Sequence, residues 1–158
     1  IRKAPARNLA LYMAVNRINQ AAVGEILKLA EELPQVTGCA FNFHTPYSGT
    51  EALALSREDK LRLCRELTAA KRAGAPVLNL VRALPALIDH QFNAPCKQCV
   101  IVEDGEIWPC GRCAGIPGLC AQCGFAFAAE VSLLAKGNLP VLAEFIGTWR
   151  RAMKEGVS

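Results

Sequence analysis

The chain has 158 residues, is 52% hydrophobic and carries a formal net charge of +4 from 18 basic and 14 acidic residues. That length suits one domain or a domain with an appendage, and the apolar fraction is ample for a core. The basic excess gathers at Arg2, Lys3 and Arg7 and at Arg150, Arg151 and Lys154, with no basic stripe interleaved with aromatics, so nucleic-acid binding is not expected. No apolar run is long enough to span a bilayer and no signal-peptide pattern opens the chain, so the expected setting is the reducing cytoplasm.

"LALYMAV" (residues 9–15) is a short apolar run of the kind that forms a strand buried on both faces. A helix follows, with Asn19 as its cap and Val23, Ile26, Ala30 and Leu33 on one face, ended near Pro34. "VTGCAFNF" (36–43) predicts a second buried strand, and "HTPYSGTEALAL" a loop. Ser56 caps the next helix, with Asp59 three residues on completing a weak capping box. Leu61, Cys64, Leu67 and Ala70 form its inner stripe, and Gly74 suits its C-cap. "PVLNLV" (76–81) predicts a third strand. Strand and helix thus alternate, which implies parallel strands with helical crossovers, a section of a larger (β/α) sheet or barrel over residues 1–92.

"LPALIDHQF" predicts a short helix leading into a cysteine-rich stretch (93–124). Two helices close the chain over 125–158, the second starting at Asn138 and Pro140. Cys39 and Cys64 fall in the first half, one within a buried strand and one on an apolar helix face, where they serve as small buried hydrophobes.

The other six cysteines form three Cys-x-x-Cys pairs: Cys96/Cys99, Cys110/Cys113 and Cys120/Cys123. In a reducing compartment such clusters point to metal rather than to disulfides. Between the first two pairs, Asp104-Gly105 predicts a type I′ hairpin. In that register Glu103 opposes Glu106, Val102 opposes Ile107, Ile101 opposes Trp108, Val100 opposes Pro109, and Cys99 opposes Cys110. Directly opposed residues hold their Cβ atoms about 4.5–5.5 Å apart, so Cys99 and Cys110 are expected to share one metal. Cys96 and Cys113 lie one knuckle outward and are favoured to complete the shell, with Cys120 and Cys123 able to replace them. A tetrahedral zinc or a [4Fe–4S] cluster takes four sulfurs, so two of the six are spare or serve a second site.

"LYMAVNRIN", "FNFHTPYSGTEAL" and the helix opening "SREDKLRL" resemble the later barrel strands of radical S-adenosylmethionine enzymes. The stretch Gly105–Glu106–Ile107–Trp108–Pro109–Cys110 resembles the Gly-x-x-x-Pro-Cys stretch of their SPASM or twitch extensions, and "CAQCGFAFAAEVSLL" resembles their cysteine-rich tails. The resemblance covers about residues 8–135. It implies an auxiliary iron–sulfur cluster, most simply [4Fe–4S] with zinc as the alternative, and a small-molecule or peptide substrate handled by a parent enzyme. One departure matters. The family's Cys-x-x-x-Cys-x-x-Cys loop is absent, so the chain is expected to be the C-terminal part of such an enzyme, with S-adenosylmethionine bound only by the full-length parent. The opening Ile1 in place of Met agrees with that expectation.

In parallel α/β folds, ligands bind at the carboxyl ends of the strands. The polar residues expected there are Asn16, Arg17 and Asn19, then Asn42 and His44, then Asn79 and Arg82. Asn16, Asn42, His44 and Asn79 are the candidate cofactor-binding residues, and Asn16, His44 and Asn79 are expected on one edge. Turn or cap duty is the competing role for each asparagine. The alternative to an enzyme fragment is a non-enzymatic zinc-knuckle domain whose metal only holds the fold. A dithiol redox module is a third reading.

Overall fold

The computed structural model describes residues 9–93, 100–110 and 116–155. Strand β1 (Leu9–Val15) and strand β2 (Val36–Phe43) form a parallel pair joined through helix α1 (Val23–Glu32). Leu11, Met13 and Val15 pair with Cys39, Phe41 and Phe43. Paired residues share a face, and this one packs with Leu27 and Ala30 of α1 and with Leu63 and Leu67 of helix α2 (Arg57–Arg72). The other face of β1 differs from expectation. Ala10, Tyr12 and Ala14 are exposed, Tyr12 at 75%. The strand alternates instead of being buried on both sides, because no described element covers its second face.

Asn19 does not cap α1. Its Oδ1 accepts from the Asn16 N–H (2.8 Å) and its Nδ2 donates to the Ala14 carbonyl (3.0 Å). A 3₁₀ turn at Gln20–Ala22 intervenes, and α1 begins with no side-chain cap. Ser56 does cap α2. Its Oγ accepts from the Asp59 N–H (3.0 Å) and its hydroxyl donates to Asp59 Oδ2 (2.8 Å). That hydrogen bond is the main cause holding the Asp59 carboxyl below its ordinary value. Ser56→Ala is expected to cost about 1 kcal/mol, read as a lower urea midpoint with unchanged slope; an unchanged midpoint would deny the cap any role. The inner stripe of α2 is Leu63, Cys64, Leu67 and Lys71, so Leu61 and Ala70 are only half-buried at its margins. The helix ends with Ala73 as cap and Gly74 just beyond it at φ +99°, a conformation that favours glycine.

The third strand reduces to a single parallel bridge, Cys39 to Val77. The Cys39 N–H donates to the Pro76 carbonyl (2.7 Å) and the Leu78 N–H to the Cys39 carbonyl (2.8 Å). A Cβ on Gly38 would lie 2.6 Å from the Pro76 oxygen, so glycine is needed for this approach. One step further the backbones diverge and the Asn79 side chain takes over the ladder. Its Oδ1 accepts from the Phe41 N–H (2.7 Å) and its Nδ2 donates to the Phe41 carbonyl (3.1 Å). The backbone cannot continue the strand because the Leu80, Val81 and Arg82 N–H groups are taken by carboxylates described below.

After a 3₁₀ turn at Leu84–Leu87 comes the hairpin of β3 (Val100–Glu103) and β4 (Glu106–Pro109). All four expected pairs within it are present, and Asp104 (φ +52°) and Gly105 (φ +79°) make the turn. Helix α3 (Ala126–Ala135) and helix α4 (Leu139–Glu155) follow. Asn138 caps the second, its Oδ1 accepting from the Val141 N–H (3.2 Å). The architecture is mixed α/β, with one parallel and one antiparallel two-stranded sheet and no closed barrel among the described residues.

Candidate metal centre and strand-end site

Cys96, Cys99 and Cys113 lie outside the described residues, so the expected facing of Cys99 and Cys110 does too. Cys110 follows β4 directly, with φ +48°. Cys120 lies within a 3₁₀ turn at Leu119–Gln122 and Cys123 caps its end, the Cys123 N–H donating to the Cys120 carbonyl (3.4 Å). That pair suits a soft metal, and four further cysteines, Cys96, Cys99, Cys110 and Cys113, precede it in sequence. Among the described residues, no three metal-ligating side chains come together.

The turn also anchors the cysteine region to the parallel sheet. Gly124, next to Cys123, accepts from the Phe43 N–H (2.8 Å) and donates its own N–H to Thr45 Oγ1 (3.0 Å). A Cβ at Gly124 would fall 1.9 Å from the Phe43 carbonyl oxygen, so only glycine fits. Two residues on, the Ala126 N–H donates to Asn42 Oδ1 (3.0 Å). Asn42 therefore caps α3 from another element. Thr45 and Gly124 were not among the expected site residues. Cys-Gly before an apolar helix was the available signal for one, and Thr45 carried none.

Asn16 follows β1 and His44 follows β2, at the carboxyl edge, whereas Asn79 lies beside Phe41, within the length of β2. Their side chains serve the fold. Asn16 Oδ1 accepts from the Ile18 (2.9 Å) and Asn19 (3.1 Å) N–H groups, a turn role. Asn79 clamps Phe41. His44 Nε2 lies 3.1 Å from Thr50 Oγ1 and 3.3 Å from the Thr50 carbonyl. The Thr50 hydroxyl gives its proton to the Tyr47 carbonyl (2.8 Å), so both neighbours of Nε2 accept. His44 Nε2 is therefore the donor in these contacts. Asn79 is fully engaged, whereas Asn16 and Asn42 are engaged through Oδ1 and His44 through Nε2.

A buried charge cluster lies beside this edge, missed in the sequence. Lys71 Nζ pairs with Glu144 Oε1 at 2.9 Å, with side chains 7% and 11% exposed, and also donates to the Asn79 carbonyl. Glu144 accepts from the Val81 (2.8 Å) and Arg82 (3.0 Å) N–H groups, and Glu130 from the Leu80 N–H (3.0 Å). Burial pushes the Glu130 carboxyl above its ordinary value. Lys71 falls four residues after Leu67 on the inner stripe of α2, and a lysine at a core position was the legible sign.

Among the described residues, no single helix is long and apolar enough to cross a membrane. Comparison with protein-family models, with curated proteins and with solved structures finds no match to this chain.

Proposed function

We propose that the chain is the C-terminal portion of a radical S-adenosylmethionine enzyme carrying an auxiliary iron–sulfur cluster, with its parallel strands a section of a (β/α) barrel. The observation that carries this reading is the joint between its two parts. The Cys120–Cys123 turn is one residue from Gly124, which seats on the carboxyl end of β2 between Phe43 and Thr45. A cysteine-bound centre would thus stand next to the edge where parallel α/β folds bind substrate. The open outer face of β1, with Tyr12 exposed, suits a sheet that continues through further elements. Four of the six cysteines would hold the cluster, Cys99 and Cys110 with Cys96 and Cys113 or with Cys120 and Cys123 in their place, and it would supply an electron-transfer centre or an anchor for substrate. His44 Nδ1 would face a small-molecule or peptide substrate in the full enzyme. Lacking a Cys-x-x-x-Cys-x-x-Cys loop, this portion does not cleave S-adenosylmethionine by itself. Its setting is cytoplasmic, and nucleic acid is not a partner.

Reconstitution under anaerobic conditions tests the reading. Iron and acid-labile sulfide are expected in near-equal amounts, with a brown chromophore. Cys99→Ser and Cys110→Ser should each lower the metal content to the same degree, and the double variant should lose little more. A colourless protein that takes only zinc would replace the reading with a zinc-knuckle domain. Single variants that keep full metal, or whose losses add, would refute the shared site.

A further inference from the structure

A cavity of about 410 Å³ opens between α3 and α4, independent of the cysteine region. Leu80 and the rings of Phe127, Phe145 and Trp149 form most of its wall. These rings are 61%, 43% and 57% exposed, a large apolar surface to leave in water. Two polar side chains line the same space, Glu130 and Thr148. Glu130 Oε1 accepts from the Leu80 N–H (3.0 Å) and from Asn79 Nδ2 (3.3 Å), while its Oε2 accepts from no described residue. Thr148 Oγ1 is sealed within the wall, so the Glu130 carboxylate is the polar group offered to an occupant. An apolar, aromatic pocket with a few convergent polar groups is the usual form of a small-molecule site.

We propose that this cavity binds a small organic ammonium with an apolar or aromatic body, of the arylalkylamine class. The ammonium donates to Glu130 Oε2, the carboxylate oxygen that accepts from no described residue. The body packs among Phe127, Phe145 and Trp149, whose ring faces attract a cation. Charge complementarity selects this occupant. An anion would meet the Glu130 carboxylate, and a purely apolar molecule would strip water from that carboxylate without replacing it.

The test uses the full chain with Trp108→Phe, which leaves Trp149 as its one tryptophan of the original two. Phenethylamine is titrated against Trp149 fluorescence, beside phenethyl alcohol as its neutral counterpart. Saturable binding of the amine is expected, with the alcohol weaker by about tenfold or more, as loss of a hydrogen bond to a charged group implies. Glu130→Gln should erase that preference. Equal binding of amine and alcohol, or no saturation by either, overturns the proposal. So does a dimer in sedimentation that buries Trp149, since a second copy would then be the occupant. If Glu130→Gln fails to fold, the amine-to-alcohol ratio on the unsubstituted pocket decides alone.

Discussion

Lys71→Met is expected to cost about 3–5 kcal/mol of stability, the loss that follows when one member of a buried ion pair is removed. Lys71 and Glu144 are nearly sealed from solvent, at 7% and 11% side-chain exposure, and 2.9 Å apart. Methionine keeps the length and apolar stem of lysine, so packing changes little and the loss reports the charge. Glu144 would retain the Val81 and Arg82 N–H donors but lose its counter-ion. It would also stand uncompensated near Glu130, whose carboxyl burial already pushes up and Lys71 pulls back. The Asn79 carbonyl loses its donor as well. Urea unfolding reads the result directly. The paired variant Lys71→Met with Glu144→Leu should cost much less than the two single losses added, because it removes the stranded charge. A Lys71→Met loss below about 1 kcal/mol would show that the pair contributes no more than a surface ion pair.

The parts of the fold that depend on neighbours in sequence were legible. Both parallel strands, the Ser56 cap and the Asp104-Gly105 register follow from apolar runs, a short polar cap and a turn that demands positive φ. The third strand was not, because its continuation is a side chain: the Asn79 amide replaces the peptide that would have paired with Phe41. No periodicity announces such a substitution. The site divides the same way. Cysteine spacing announces metal chemistry by itself, whereas the tie from Gly124 to Phe43 and Thr45 joins residues about eighty positions apart. Of the asparagines expected at the strand ends, Asn16 follows its strand while Asn42 lies within β2 and Asn79 beside Phe41, and turn, cap and ladder duty engages them, as their short amides commonly do. The inner stripe of α2 shifted toward Leu63 and Lys71 because a buried partner, Glu144, made a core lysine tolerable.

Raising the pH from about 8 to about 11 is expected to remove up to about 5 kcal/mol of stability through Cys39 and Cys64 alone. Both side chains are buried, at 0% and 6% exposure, and burial pushes each thiol from 9.0 up to about 11. For Cys64, the Lys60 and Arg65 charges oppose that rise without cancelling it. The sign follows from proton counts. Between 9.0 and about 11 the unfolded chain releases these protons while the native state keeps them, so the unfolded state binds fewer and stability falls as pH rises. The contribution is fully present below 9.0 and gone above about 11. Two shifts of about two units, at about 1.4 kcal/mol per unit, give the stated ceiling. Lysines and tyrosines also titrate in this range, so the comparison is a variant with Cys39→Ala and Cys64→Ala. It will be less stable at neutral pH, since both substitutions leave cavities in the core around Phe41 and Leu67. Its stability should nevertheless fall less steeply above pH 9, and the two curves should converge as pH approaches about 11. Parallel curves for parent and variant would show that the thiols are not held protonated by the core, and that solvent reaches Cys39 and Cys64.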